Sequence, residues 1–220
     1  MKIPGRRRAA AVIALAAAGF VGRGLWIPAK AALAQALLER SWSRTVAMRA
    51  AGHTHRPWPW ADTWPVARLR APRLGIERVV LAGASGRTLA FAPGHVDGTA
   101  APGDAGNSAI AGHRDTNFSF LQRLRKGDEL IVERPDGREV RYRVAVARVV
   151  DRSRSEVLAE TPDDRLTLVT CWPFDAVVPG GPERYVVTAI REAGGSPGTF
   201  PASGVSLTAS REDFRREETR

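Results

Sequence analysis

Short apolar runs separated by glycine and proline make up the chain between residues 66 and 191. Their alternating or β-branched composition is typical of strands. The seven runs are VARLRAP (66–72), RVVLAG (78–83), NSAIAGH (107–113), GDELIVERP (127–135), GREVRYRVAVARVV (137–150), RLTLVTC (165–171) and RYVVTAIR (184–191). Helical stretches are brief, near Gly86–Phe91 and Phe118–Leu124. This density of strands, with too few helices for βαβ units, predicts a mainly β domain, an antiparallel barrel or sandwich.

Turn signals and composition set the limits of this domain. Pro135-Asp136-Gly137, between two of the runs, predicts a hairpin turn. The domain is expected to span 66–192, and the Gly/Ser/Pro-rich and charged segment 193–220 is predicted to be disordered. The sequence contains no internal repeat and no phosphate-binding glycine motif.

The first 28 residues predict a membrane anchor. Residues 1–8 are basic and form a cytoplasmic N-terminus, and residues 9–28 are apolar over the length of a spanning helix. Arg23 interrupts this stretch near one end, where its side chain can reach the headgroups, and Trp26 suits the membrane interface. A cleaved signal peptide is the alternative, with an A-x-A site at Ala32-Leu33-Ala34. Both interpretations export the rest of the chain.

Residues 29–65 predict a helical stalk followed by an arm rich in proline and tryptophan. The stretch 29–50 has Leu33, Leu37 and Trp42 near one helix face. Residues 52–65, GHTHRPWPWADTWP, predict an extended linker whose tryptophans pack on the domain or at the membrane interface. His53 and His55 are a weak indication of metal, because no acid or cysteine accompanies them.

The net charge of +10 is spread along the sequence as arginine, apart from Arg6-Arg7-Arg8. No zinc-finger spacing, RNA-binding motif or strongly basic helix accompanies it. We therefore expect no nucleic-acid partner and assign the basic balance to composition or to anionic lipid.

Cys171 is the single cysteine, and it stands at the end of a strand-like run that Trp172-Pro173 closes. In an exported chain it has no intrachain disulfide partner, so it is either a small buried hydrophobe or a reactive thiol. A nucleophilic thiol needs a base or a cation beside it. His113 also ends an apolar run, and Arg184 opens the strand after Cys171. If those two strands are neighbours, Arg184 can approach the thiol and stabilise an oxyanion.

These residues carry a resemblance to a known family. AGHRDT around His113, TLVTC around Cys171 and ERYVV around Arg184 resemble, in order and context, the signature elements of sortases, the cysteine transpeptidases. GHVDGTAAPGDAGNSAIAGHRDT (94–116) resembles the class D-like histidine region, and GLWIPAKAALAQ and WPWADTWP resemble the subgroup of Gram-negative bacteria, class GN. The resemblance implies a closed eight-stranded sortase-type β-barrel with short helices, preceded by an N-terminal membrane helix.

The same resemblance implies the chemistry and the location. Cys171 would attack the scissile carbonyl of an LPXTG-like sorting signal, His113 would transfer the protons and Arg184 would stabilise the oxyanion. Thr170 would shape the substrate groove. The partners would be a protein bearing the signal, an amine acceptor and inner-membrane lipid. The domain would face the periplasm from a single-pass anchor. We expect no metal and no cofactor, and His95 is expected to be structural.

Two alternatives stay open. Hydrolysis could dominate over transfer, which would make the protein a thiol endopeptidase. A membrane-tethered binding barrel with an inert, buried cysteine is the non-enzymatic alternative.

Overall fold

The computed structural model describes residues 26, 29–48, 54–178 and 180–192. The predicted basic segment 1–8 and tail 193–220 lie outside these residues, as does the predicted anchor 9–28 except for Trp26. Among the described residues, no helix combines the length and the apolar character needed to span a bilayer.

Eight strands close into a barrel. In chain order they are β1 (Pro65–Ala71), β2 (Ile76–Ala82), β3 (Gly94–His95), β4 (Asn107–Ala111), β5 (Glu129–Glu133), β6 (Glu139–Asp151), β7 (Arg165–Cys171) and β8 (Glu183–Arg191). Around the barrel the order is β1-β2-β3-β4-β7-β8-β6-β5, and β5 pairs with β1 to complete it. The predicted mainly β fold and closed eight-stranded barrel are confirmed.

Helices connect the strands or pack outside them. Residues 29–47 form α1 and Gly86–Leu89 form α2. The 3₁₀ helices are Pro72–Leu74, Ser119–Arg123 and Ser155–Leu158. The helix expected near Phe118–Leu124 is therefore a 3₁₀ helix, and the one expected over Gly86–Phe91 is a single α-helical turn ending at Leu89.

The expectation of an antiparallel barrel is wrong for two of the strand pairs. β4 runs parallel to β7 and β3 runs parallel to β2. A parallel pair needs a long connection, and the chain between β4 and β7 provides one by first forming β5 and β6. The apolar and polar alternation within each run indicates which side chains are buried. It does not indicate whether the adjacent strand runs parallel or antiparallel. The Pro135-Asp136-Gly137 hairpin does join the antiparallel pair β5–β6 as predicted.

Strand β3 has only two residues, Gly94 and His95, and no apolar run in the sequence predicts it. Its position depends on a close backbone approach. A Cβ on Gly94 would lie 2.2 Å from the Gly83 carbonyl oxygen, so only glycine fits there.

Two hydrophobic clusters stabilise the fold. The first fills the barrel, where Phe118 and Phe120 pack edge to face among side chains from seven of the eight strands: Ala67, Leu69, Ala71, Val80, Ile110, Leu130, Val132, Val140, Tyr142, Val144, Leu166, Leu168, Tyr185, Val187 and Ala189. The second lies outside the barrel wall, where Leu38 and Trp42 of α1 pack on Val79, Leu81 and Ala92.

The predicted apolar face of the stalk needs correction. Leu38 and Trp42 are buried, whereas Leu33 is 61% exposed. Which turns of α1 are covered depends on where the barrel wall lies, and the helical pattern of the sequence does not contain that information. The helix therefore lies against the domain along its second half. In the arm, Trp58 packs edge to face on Phe91, while Trp60 is exposed.

Candidate active site

Cys171 and Arg184 are directly opposite each other in the antiparallel β7–β8 ladder. Cys171 is the last residue of β7 and Arg184 is the second residue of β8. Directly opposite residues have Cβ atoms about 4.5–5.5 Å apart. The two strands are thus the neighbours that the sequence argument required. Both side chains are half-buried.

His113 reaches the same edge of the barrel through the parallel β4–β7 pair. Ala111 is in register with Val169, and the Gly112 amide donates to the Val169 carbonyl at 3.1 Å. His113 follows Ala111 by two residues, as Cys171 follows Val169. His113 therefore lies next to the end of β7, and it is exposed.

The alternation along β7 and β8 places Cys171 and Arg184 on the outer face of the barrel. Leu166 and Leu168 of β7 belong to the barrel interior, as do Tyr185 and Val187 of β8. Cys171 and Arg184 have the opposite parity and therefore face outward. An outward thiol at a strand end is open to a peptide, whereas a thiol of the interior parity would be enclosed.

Thr170 connects the strand that carries the thiol with the segment that carries His113. Its side chain is buried, and its hydroxyl donates to the Gly112 carbonyl at 2.7 Å. In this structure the hydroxyl is therefore engaged with backbone rather than turned to the outer face. Its part in shaping a substrate groove stays a prediction.

The Arg184 guanidinium is anchored to the loop before β8. Nη1 donates to the carbonyls of Gly181 and Glu183, each at 2.8 Å. These bonds fix the cation beside its own strand, and the register of the ladder places Arg184 opposite Cys171. A charge held in place before a reaction begins costs little reorganisation when an oxyanion develops.

An aromatic group follows the thiol, and the sequence argument did not assign it to the site. The rings of Trp172 and Tyr185 stack with centroids 5.6 Å apart, and Phe174 meets Tyr185 edge to face at 5.2 Å. Burial raises the pKa of Tyr185, so its phenol stays neutral. The run WPF after Cys171 was the available signal, but strand β8 supplies the third ring.

Arg114 also belongs to this region, and the sequence did not indicate it. It is buried, with only 4% of its surface exposed, and it contacts the loop between β7 and β8. The sequence shows an arginine beside His113, but an arginine next to a polar loop is usually solvated. Only the fold shows that this one is enclosed.

The remaining histidines lie apart from this edge or make local contacts. His95 Nε2 lies 2.9 Å from the Ala100 carbonyl and 3.1 Å from Thr99 Oγ1, within the loop that precedes β4. His55 Nε2 lies 2.9 Å from Met48 Sδ. His53 is outside the described residues. Within the described part of the chain, no three His, Cys, Asp or Glu side chains group in a way that could hold a metal ion.

The fold and this site together define a class: closed β-barrels with a cysteine at a strand end, an arginine across the ladder and a histidine just beyond the end of the neighbouring strand. A family model for the sortase domain matches residues 69–192, more than half of the 220 residues. The chain belongs to the sortase family.

Individual relatives agree with this membership. Sortase D of Bacillus subtilis (strain 168) is 29% identical over 120 residues, which is 54% of this chain and 60% of that protein. The match thus spans less than two thirds of that relative's length. Sortase C-1 from Actinomyces oris is 30% identical with a TM-score of 0.51, covering 59% of this chain and 75% of that one.

A Clostridium perfringens protein described as a Sortase D5 transpeptidase shares the fold. Its TM-score is 0.59 at 23% identity, and the match covers 74% of this chain and 99% of that chain.

Proposed function

We propose that this chain is a membrane-anchored cysteine transpeptidase that cleaves an LPXTG-like C-terminal sorting signal and transfers the acyl group to an amine. The observation that carries the proposal is the cross-strand pair Cys171–Arg184, with His113 two residues beyond the end of the adjoining strand β4. A nucleophile, an oxyanion stabiliser and a proton carrier then share one outward-facing edge.

The reaction proceeds in two halves. The Cys171 thiolate adds to the carbonyl carbon of the scissile peptide bond, and Arg184 stabilises the oxyanion that forms. The C–N bond breaks as His113 gives a proton to the leaving amine, which leaves a thioester on Cys171. His113 then removes a proton from the incoming amine, the amine attacks the thioester, and the thiolate is regenerated.

The aromatic group formed by Trp172, Phe174 and Tyr185 gives the substrate an apolar surface next to the nucleophile. Trp172 and Phe174 pack on Tyr185 beside the nucleophile, so the loop after Cys171 has an apolar base. Such a base suits the apolar residues of a sorting signal, because burying them releases water from both surfaces.

We also propose that residues 9–28 anchor the chain in the inner membrane, that residues 1–8 stay in the cytoplasm and that the barrel faces the periplasm. The hydropathy of 9–28 and the preceding basic residues support this orientation. The segments GLWIPAKAALAQ and WPWADTWP support the assignment to the class GN subgroup of Gram-negative bacteria.

The catalytic test uses a fluorogenic LPXTG-like peptide with and without a small primary amine, and mass spectrometry of enzyme and products. Wild type should give an amine adduct and a mass increase on Cys171, and Cys171→Ala should give neither. Retained cleavage by a clean Cys171→Ala preparation would contradict the proposal.

Two further outcomes correspond to the open alternatives. Cleavage without an adduct from any of a panel of amines would identify a thiol endopeptidase. A native Cys171 that resists a small alkylating reagent, with no cleavage, would identify a binding barrel.

The anchor is tested by fractionating cells that express the full chain or a chain starting at residue 29. The full chain should stay in the membrane after carbonate washing at its uncleaved mass. A soluble product that begins near residue 35 would instead identify a cleaved signal peptide.

A further inference from the structure

Arg114 is a buried cation whose donors converge on one loop. Nη1 donates to the Pro173 carbonyl at 2.8 Å, and Nη2 donates to the carbonyls of Ala176 and Val178 at 2.6 and 3.2 Å. This loop joins β7, which ends at Cys171, to β8, which begins at Glu183. Its backbone between 173 and 178 is thus tied at three points to a single side chain.

The charge of Arg114 has little other compensation. Its Nε donates to Asp115 Oδ1 at 3.2 Å, and that carboxylate is mostly exposed. Burying a guanidinium is costly unless its N–H groups are bonded. Arginine has five N–H donors in a rigid plane, enough to serve three carbonyls and a carboxylate. Lysine has three donors on one atom and cannot span such a set.

The contacts of Arg114 join the segment that carries His113 to the loop that follows Cys171. It follows His113 in the chain, and Pro173 follows Cys171 by two residues. On the inner side, Thr170 donates to the carbonyl of Gly112, the residue before His113. His113 and Cys171 are therefore bracketed by two cross-connections, one before them and one after them.

The loop that Arg114 holds also presents an apolar tip. Val177 and Val178 are 95% and 75% exposed, while the Val178 carbonyl is bonded to the buried guanidinium. The backbone is fixed and the side chains point into solvent. Two exposed valines on a held loop differ from two on a free loop, because the backbone needs less ordering when a ligand covers them.

We propose that Arg114 is a positioning residue, which holds the β7–β8 loop against the His113 segment and so fixes one wall of the peptide groove beside Cys171. The inference rests on the proposed function for its effect on turnover, whereas the holding of the loop is measurable without any turnover. Arg114 touches no reacting atom. It acts through the backbone of residues 173–178.

The test compares Arg114→Lys with Arg134→Lys. Arg134 is a matched control because it is also largely enclosed and donates to a backbone carbonyl, that of Pro102, and to Asp104. It lies at the far edge of the barrel, since β6 begins next to its hairpin and ends opposite Glu183. Both substitutions keep the positive charge.

Limited digestion with chymotrypsin reports on the loop alone. Phe174 is the cleavage site in the loop, because Pro173 protects the bond after Trp172. Arg114→Lys should be cut after Phe174 at least fivefold faster than wild type, and Arg134→Lys should match wild type. Equal rates for the two variants would overturn the proposal.

Turnover of the LPXTG-like peptide gives the second readout. Arg114→Lys should lose at least tenfold in kcat/KM, mainly through a higher KM, and Arg134→Lys should lose less than twofold. If wild type does not process the peptide, the proposed function fails while the chymotrypsin result still decides the role of Arg114. If Arg114→Lys does not fold, wild type is digested at rising temperature: cleavage after Phe174 well below the unfolding midpoint would show that the loop is not held, and overturn the proposal.

Discussion

Cys171 and Arg184 are cross-strand partners at the edge of the β7–β8 ladder, on the outer face of the barrel. The ladder sets their separation, and the two carbonyl contacts of Arg184 set the direction of its guanidinium. Part of this orientation comes from the loop before β8, whose Gly181 carbonyl accepts from the guanidinium. Under the proposed function, this register places the Arg184 side chain across the ladder from the thiol, on the side where the oxyanion would develop.

Replacement of Arg184 by alanine should reduce kcat by about 10²–10³, the usual loss when an oxyanion donor is removed. Arg184→Lys should retain part of the wild-type kcat, because lysine keeps the positive charge but lacks the planar, two-pronged set of N–H donors of arginine. Arg191→Ala is the control: Arg191 ends the same strand and pairs with Asp164 at 3.2 Å. Steady-state kinetics with the LPXTG-like peptide measure all three. A similar loss from both alanine variants would contradict the role of Arg184.

Thr170→Val should lower both stability and activity. The substitution keeps the shape but removes the bond to the Gly112 carbonyl, at about 1 kcal/mol for a buried hydrogen bond. His113 then loses its inner connection to the Cys171 strand. Thr167→Val removes an equally buried bond on the same strand, to Asn107 Oδ1 at 2.7 Å. Urea denaturation should give similar losses for both, and kcat/KM should fall several-fold for Thr170→Val alone.

Gly112→Ala should disturb the segment before His113. A Cβ at Gly112 would lie 2.7–3.0 Å from ring atoms of Phe118, which is fully buried and cannot move aside. We expect a loss of about 1–3 kcal/mol in the free energy of unfolding, as for other overpacked sites. Gly86→Ala is the control, because nothing lies within 4 Å of its Cβ. Thermal unfolding should show Gly86→Ala at or above wild-type stability.

Asp128 should make stability depend on acid pH. Its carboxylate accepts from Arg73 Nε and Nη2 at 2.5 and 2.6 Å and from the Arg125 amide at 2.7 Å. The hydrogen bonds from Arg73, with a smaller contribution from Arg125, lower the pKa of Asp128 below its usual 3.8. The charged form is favoured by folding, so its contribution is complete at pH 5–7 and is lost as pH falls through the lowered pKa.

The measurement is urea denaturation of wild type and Asp128→Asn between pH 7 and pH 2. Wild type should be more stable at neutral pH by about 1–3 kcal/mol, as expected for hydrogen bonds to a charged group. The difference should shrink below the usual aspartate pKa. Asp62→Asn removes an exposed ion pair with Arg87 and should change little. A wild-type advantage that grew on acidification would refute the assignment.

The sequence predicts the barrel well where periodicity carries the information. Seven of the eight strands coincide with apolar runs. The fold brings to one edge three residues that lie at or beside the ends of strands, namely His113, Cys171 and Arg184. Strand ends are visible in a sequence because proline, glycine and charge mark them.

What the sequence could not predict depends on partners distant in the chain. The two-residue strand β3 has too little pattern to recognise, and its place follows from the backbone approach at Gly94. The parallel direction of β4 and β7 is a property of topology. Burial of Arg114 and of Leu38 depends on surfaces that form only when the loop after Cys171 and the barrel wall are in place.

The parallel pairing of β4 with β7 has a consequence for when the site exists. The connection between them contains β5 and β6, so pairing the strands that lead to His113 and Cys171 closes a long loop, and such a non-local contact forms slowly. Under the proposed function, a partly folded chain in which β4 and β7 are unpaired lacks the assembled site and should not cleave a peptide. Peptide cleavage and cooperative unfolding should therefore share one midpoint.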